Sequence, residues 1–563
     1  MDLLVNHLGY DLDGPKRAVV EATTRPRNVR VVDDATGAVV AEPEPTRAGT
    51  VADWGEWTFW TVAFDDLDAG RYSLAADDER TVRSEPFAVA ESILSEAALS
   101  DVLYYFTSQR SSGAPEQADR AVPFVGDRAG TVDVHGGWYD ASGDQSKYLS
   151  HLSYANYMNP QQIPLVVWGL LDVLEQLSTG ADSLGADLGW RLREEAIHGA
   201  DFLVRMQDEA GYFYMTVFDG WSHDPDRREI CAYEGQDGQK TEDYEAGYRQ
   251  GGGVAIAALA RASTIDGPGE YDPETYLATA IRGFEHLEAH NEEYLDDGTE
   301  NVIDDYCALL AATELFGATG EERFVTAATE RARSLLDRQT GDDRYDGWWA
   351  ADGNGRPFYH AAEEGLPVLA LVRYLAVLDD APLEREIRDA LETYWAFELS
   401  ITDDVTNPFG YARGYAPKRD DEPRATFFMP HDNETGYWWQ GENARIASLA
   451  AAARRSRPHV EGLEGELSAF ARTQLDWILG CNPFDTSMVH GVGNGPPDYH
   501  HQYRNVPGGI VNGVTAGVEN EFDVAFLPEG PGEDHAHRWR WAEQWLPHAA
   551  WFAIAVASGY GDA

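Results

Sequence analysis

Apolar and polar positions along the chain change rhythm once. Up to about residue 90, short runs at 17–20, 29–32, 57–64 and 72–75 alternate or cluster β-formers between Gly, Pro and Asp turns, which predicts the strands of a small β-sandwich. Beyond Ala90 the spacing becomes helical, with helices predicted at 91–109, 160–178, 188–208, 247–264, 273–291, 301–317, 321–337, 361–378, 383–398, 437–455, 460–479 and 541–558. Stretches such as VAIAALARA (254–262) and RIASLAAAA (445–453) are apolar on most faces, so these helices should be buried on more than one side. About a dozen helices in pairs suggest a helical toroid rather than a bundle. The expected domains are therefore 1–90 and 91–563. The loops at 127–159, 211–246, 340–360, 401–436 and 482–540 are long for a compact domain, and loops of that length usually carry function.

Charge narrows the class. The 563 residues hold 43 basic and 97 acidic side chains, a net charge of −54. Such a surface repels phosphate backbones and excludes nucleic acid as a partner. Aromatic residues at 12% argue against disorder. No run is apolar enough for a membrane helix. Only Lys16, Lys147, Lys240 and Lys418 are lysines. An acidic, lysine-poor surface reads as a protein that works in molar salt, where a Debye length of about 3 Å quenches self-repulsion. Cys231, Cys307 and Cys481 are too scattered for a disulfide framework or a metal knuckle. The first residues, MDLLVNHLGY, show no export signal. The expectation is a cytoplasmic protein, or a secreted one if the N-terminus has been trimmed.

Three segments could do chemistry. In HGGWYDASGDQSKYLSHLSYANYMN (135–159), Asp140 and Asp144 lie four apart among Trp138, Tyr139, Tyr148 and Tyr154. Two close carboxylates can hold and deprotonate water, each raising the other's pKa. An Asx-turn with a helix cap is the competing reading, and the aromatic residues, whose faces stack on sugar rings, shift the balance towards a site. Glu543, among the indoles of HRWRWAEQWLPHAAWFAIAVAS (537–558), reads equally as a desolvated acid or as a glutamate at a helix start. DYHHQYRN (498–505) offers His500, His501 and Arg504 for sugar hydroxyls, or is simply a solvated loop. No nucleophile elbow, phosphate loop or dinucleotide fingerprint is present.

These segments, in this order, resemble the inverting glycoside hydrolases of family 9, cellulases with an N-terminal immunoglobulin-like domain. VNHLGYDLDGPKRAVV (5–20) is similar to that domain's first strand, and GGWYDASGD (136–144) to the family's GGWYDAGD. YRQGGGVAIAALARAS (248–263), IDDYCALLAATELFGATG (303–320) and QLDWILGCNP (474–483) resemble its helical landmarks. DYHHQYRN with GGIVNGV (508–514) resembles its histidine–arginine loop, and AEQWLPHAAW (542–551) its terminal motif. The resemblance implies a mainly α protein, an (α/α)6 barrel preceded by an immunoglobulin-like β-sandwich. It also implies Asp144 as the base that activates water, Asp140 as a second holder of that water and Glu543 as the acid. His500, His501 and Arg504, with Trp138, Tyr139, Trp438 and Trp439, would meet the sugar.

Three departures stand out: the extra residue in DASGD, the opened HHQYR, and Ala542, His548 and Ala549 around the acid. Members of the family often bind calcium, but no ligand loop reads out here, so neither a required cofactor nor a metal is predicted. The implied partner is a carbohydrate substrate, with no nucleic acid or membrane partner. The leading expectation is hydrolysis of β-1,4-linked glucan. The alternatives are an exo-acting β-glucosidase or glucosaminidase on short imported oligosaccharides, another toroid enzyme such as a glucoamylase-like hydrolase or a polysaccharide lyase, and a sugar-binding protein without catalysis.

Overall fold

The computed structural model describes residues 1–559 except 153, 179–183, 236, 379–381, 419–421 and 437. Short parts of the predicted loops at 127–159, 211–246 and 401–436, and the first residue of the predicted helix 437–455, therefore lie outside the described residues.

The N-terminal strands form two sheets. One runs β1 (Asp2–Leu4), β3 (Arg17–Glu21), β7 (Phe59–Ala63), β6 (Thr46–Gly49), all antiparallel. The other runs β2 (Gly9–Asp11), β10 (Phe87–Ala90), β8 (Gly70–Asp77), β4 (Arg27–Asp33), β5 (Val39–Ala41), with β9 (Thr81–Arg83) also on β8. Period-two alternation gives the first sheet two buried faces. Leu3, Ala18, Val20 and Val62 point into the sandwich core with Leu74 and Phe87, whereas Leu4, Val19 and Phe59 join the core of the helical region. Trp54 completes that joint, its ring 4.9 Å from Phe427 and 6.1 Å from Trp477. Arg472 fixes it by donating to the Gly9 carbonyl at 2.7 Å and to Asp11 at 3.2 Å.

The helices are α1 (Ile93–Gln109), the short α2 (Gly113–Ala118), α3 (Ile163–Ser178), α4 (Leu184–Arg205), α5 (Gly253–Ala262), α6 (Pro273–His290) and α7 (Val302–Thr319). They continue with α8 (Glu322–Asp337), α9 (Leu366–Val377), α10 (Glu384–Asp403), α11 (Asn443–Ser456), α12 (Glu464–Ile478), α13 (His535–Ala542) and α14 (Leu546–Ala557). Among the described residues, α3, α5, α7, α9, α11 and α14 contact one another in turn, and α14 returns to α3. This is the closed inner ring of an (α/α)6 barrel. The outer ring is α4, α6, α8, α10 and α12, each packed on the inner helix it follows, with α1 packed on α14.

Sequence separates the rings. All ten residues of α5 and all twelve of α14 are buried, whereas α8 buries Phe324, Ala328, Ala332 and Leu335, one narrow stripe. Local signals set the ends. Asn301 and Asp304 form a capping box at the start of α7, and Gly320 closes it with φ 69°.

Two helices escaped the sequence pattern. α2 and α13 are short and polar, and the helix expected at 541–558 starts only at Leu546. Glu543 therefore lies between α13 and α14 in extended backbone rather than in a first turn. Among the described residues no helix is long and apolar enough to cross a membrane.

Candidate active site

The loop 140–146 and the segment 542–546, some 400 residues apart in sequence, are laced together by their backbones. Ser142 donates to the Gln544 carbonyl at 2.9 Å and Leu546 to the Asp140 carbonyl at 3.1 Å, while Ala141 bridges Trp545. The lacing is possible because α14 completes the ring next to α3, so the first and last parts of the barrel are neighbours. It brings Asp140, Asp144 and Glu543 to one cavity of about 460 Å³, walled by Trp221, Trp438, Tyr499 and Trp539 among others.

The three carboxyls meet different surroundings. Asp144 accepts from the Ser146 N–H at 2.8 Å, the Tyr148 hydroxyl at 2.7 Å and Trp221 Nε1 at 3.0 Å, a set of donors that suits an anion. Asp140 is 3% exposed and takes both its oxygens to Trp545 Nε1 at 3.1–3.2 Å. Burial and the charges of Asp144 and Glu543 hold its carboxyl well above the usual range. Burial, with the charge of Asp144, pushes Glu543 up to about 8. Its partner is the Gly143 N–H, which donates to Oε1 at 3.1 Å. Gly143 has to be glycine, because a Cβ there would sit 2.5 Å from both Glu543 Oε1 and the Tyr499 ring. Among the described residues, arginine and lysine are missing from the wall of this cavity.

Of the aromatic and basic residues expected at the sugar, the structure places Trp438 on the wall and the others elsewhere. Trp138 is fully buried, donating to Glu195 at 2.7 Å, because its side of the loop packs onto Phe106 and His198. The Tyr139 hydroxyl is turned outward to the Ser112 carbonyl at 2.8 Å. Trp439 lies flat on His431 at 3.9 Å with the Arg540 guanidinium on its ring.

In the 498–505 loop the backbone turns Tyr499 and Tyr503 to the cavity. His500 packs on His501 at 3.9 Å and on His535 at 4.6 Å, while His501 and Arg504 are exposed. The histidines and arginine thus stand on the outer side of a loop whose tyrosines, four apart, line the inner side.

Sequence reading also missed His151, Trp221 and His223. His151 lines the cavity and is held neutral by burial, at about 3, with its Nδ1 on the Tyr233 hydroxyl at 2.6 Å. His151 lies in the 135–159 segment beside the aspartates, and the only signal for Trp221 and His223 was the aromatic richness of the loop at 211–246. His548, where the family motif departs, is buried behind the wall, its Nε2 on Asn512 Oδ1 at 2.8 Å and its ring on the edge of Trp545 at 5.2 Å. It supports the indole that Asp140 binds. Among the described residues no group of three or more His, Cys, Asp or Glu is arranged to hold a metal ion.

Fold and site together define a helical-toroid protein whose carboxyl-lined cleft opens at the loop end of an (α/α)6 barrel. Residues 96–514 match the model of glycosyl hydrolase family 9, and residues 1–81 match that of the cellulase N-terminal ig-like domain. The chain belongs to glycosyl hydrolase family 9, a family of glycosidases. It is similar to Endoglucanase C of Cellulomonas fimi, with 26% identity over 66% of this chain and 36% of that protein. It is also similar to Endoglucanase 13 of rice, with 24% identity over 76% of this chain and 65% of that one. The chain thus spans about a third of the first relative and about two thirds of the second. Among solved structures, a Bacteroides ovatus GH9 protein superposes with a TM-score of 0.69 at 19% identity, covering 99% of this chain and 98% of the other. A metagenome-derived family 9 endoglucanase superposes with a TM-score of 0.66, also at 19% identity, over 99% and 98% of the two chains. The match to the family model ends before Glu543.

Proposed function

We propose that the protein hydrolyses β-1,4-linked glucan with inversion, Glu543 acting as general acid and Asp144 as general base. The observation that carries this reading is the convergence of two carboxyl environments on one cavity: Glu543, partly buried and held up to about 8, stays protonated at neutral pH, while Asp144 is surrounded by donors. Inversion needs such a pair on opposite faces of the sugar with room for water between.

Water attacks the anomeric carbon and gives its proton to Asp144. Glu543 gives its proton to the glycosidic oxygen as that bond breaks, and exchange with solvent restores both groups. Asp140, whose carboxyl is held well above the usual range by burial and by the charges of Asp144 and Glu543, helps hold the attacking water. Relatives named endoglucanase support glucan as the substrate class.

The test is product analysis on cello-oligosaccharides in molar KCl, a medium chosen for the acidic surface, with wild type beside Glu543→Gln and the anomer followed by NMR. Release of a defined α-anomer by wild type and none by the variant is expected. An undiminished variant would remove Glu543 from the chemistry, and retention of the β-anomer would remove the inverting mechanism. Sugar binding without cleavage by either protein would mark a binding protein instead.

A further inference from the structure

Two loops meet over the cavity from distant parts of the chain. One joins the strands Thr216–Phe218 and Glu229–Glu234, which pair with each other and, through Lys147–Tyr148, with the carboxylate loop. The other is the 498–505 loop. They touch through two rings: His223 lies on Tyr503 with centroids 4.6 Å apart and planes 15° from parallel. Tyr503 stands beside Tyr499, 6.4 Å away, and Tyr499 abuts Gly143 between the two aspartates. The contact is thus continuous with the catalytic loop.

The first loop is held under strain to make this contact. Trp221 and His223 have φ of 53° and 54°, a left-handed backbone that is strained for a bulky residue and clusters at functional sites. Trp221 is pinned by its hydrogen bond to Asp144 at 3.0 Å. His223, on the cavity wall, keeps a buried Nδ1 without a hydrogen-bond partner among the described residues. A buried ring nitrogen left this way calls for a ligand group, and a sugar hydroxyl satisfies it in either tautomer because it both donates and accepts.

We propose that the stacked pair His223–Tyr503 is an end wall of the substrate cleft, so that the enzyme takes a glycan by its chain end and releases short product of one length, with His223 Nδ1 bound to a hydroxyl of the terminal sugar. This inference rests on the glucan hydrolysis proposed above.

The experiment compares wild type with His223→Gly/Tyr503→Ala in molar KCl. Glycine accepts the left-handed backbone, so the wall is removed without adding strain. Initial products from cellohexaose labelled at the reducing end are resolved by chromatography, and viscosity of a soluble cellulose derivative is plotted against reducing ends formed. Expected are one product length and an almost flat viscosity plot for wild type, and a mixture of lengths with a viscosity fall at least several-fold steeper for the double variant. His223→Gly alone should raise KM for cellohexaose about 10-fold with a smaller change in kcat. A mixture of lengths from wild type in its first turnovers overturns the inference while leaving glucan hydrolysis intact, and so does a single product length from a folded double variant. If wild type cuts no glucan, both readings fall.

Discussion

The barrel carries buried carboxyls at both ends, on inner helices at one and on the connecting loops at the other, and the two ends treat them in opposite ways. At the closed end, in the last turns of the inner helices, Asp172 and Glu314 are 2% and 3% exposed. There Arg373 grips Glu314 through Nε at 2.9 Å and Nη2 at 3.0 Å, Arg455 reaches Asp172 at 2.5 Å, and Arg261 lies 3.4 Å from Asp172 while also pairing with Glu175. Burial raises both carboxyls, but Arg455 and Arg261 bring Asp172 below the usual range, and Arg373 and Arg261 do the same for Glu314. At the open end Asp140 is as deeply buried and Glu543 is partly buried, yet their neighbours are indoles, a glycine N–H and other carboxylates, and both are held up. Burial alone therefore does not mark a catalytic acid. What distinguishes the open end is burial with no guanidinium supplied, in a fold that has arginines to supply. The closed end is built to hold the ring together, the open end to keep a proton available.

The sharpest way to break this contrast is to neutralise one member at each end. Glu543→Gln keeps the shape and the Gly143 hydrogen bond but removes the transferable proton. Activity should fall by about 10²–10⁴-fold with the fold unchanged, as checked by initial rates and circular dichroism. Arg373→Met at the closed end should do the reverse. It leaves Glu314 buried with the weaker company of Arg261 at 3.5 Å and Trp168 at 2.9 Å, so unfolding in denaturant should lose about 3 kcal/mol, with kcat unchanged well below the melting temperature. If Arg373→Met lowers kcat before it lowers stability, the two ends are not separable as described.

The next test enlarges a single atom position. Gly143→Ala would place a methyl against Glu543 Oε1 and Tyr499. Moving the acid by about an ångström should lower kcat/KM roughly 10²-fold, while melting changes little because the loop lies at the rim of the barrel. Activity within twofold of wild type would show that the acid is not held where Gly143 holds it.

How much of this was legible beforehand follows the physics of each signal. The strand-to-helix switch near Ala90 and the twelve long helices could be read because apolar periodicity is local and repeated. The all-buried segments 254–262 and 445–453 lie in the inner ring, as their all-round apolarity implies. Asp140, Asp144 and Glu543 were named from carboxyls set among aromatics, and the chain brings all three to one cavity. Which aromatic faces that cavity was not legible. Trp138 and Trp438 look alike in sequence, yet one packs against Phe106 and the other lines the cleft, because a loop's side-chain directions are set by tertiary contacts. The 498–505 loop shows the same limit: its histidines and arginine drew attention through chemistry, but the turn presents Tyr499 and Tyr503. His223 carried no signal beyond the aromatic richness of its loop, since its place depends on a left-handed backbone and a stacking partner 280 residues on.

The smallest effect is also the most diagnostic, because the two ends answer pH with opposite signs. Asp172 and Glu314 have folded-state pKa values below their unfolded ones. Their contribution to stability is present above the ordinary carboxylate range and is lost as pH falls through the lowered values. Glu543 is raised from 4.5 to about 8. It costs nothing below 4.5, but as pH climbs towards 8 the unfolded chain ionises it and the folded protein does not, so wild type loses stability across that window. Glu543→Gln removes the loss. The variant should melt with wild type at pH 4.5 and about 2–4 °C above it at pH 8 in molar KCl, although it is the inactive protein of the pair. The same group sets the alkaline limb of wild-type kcat/KM, which should fall with an apparent pKa near 8. A variant that melts with or below wild type at pH 8, or an alkaline limb near pH 6, would mean that Glu543 is already ionised in the folded protein, and the open end would then have to obtain its proton from Asp140.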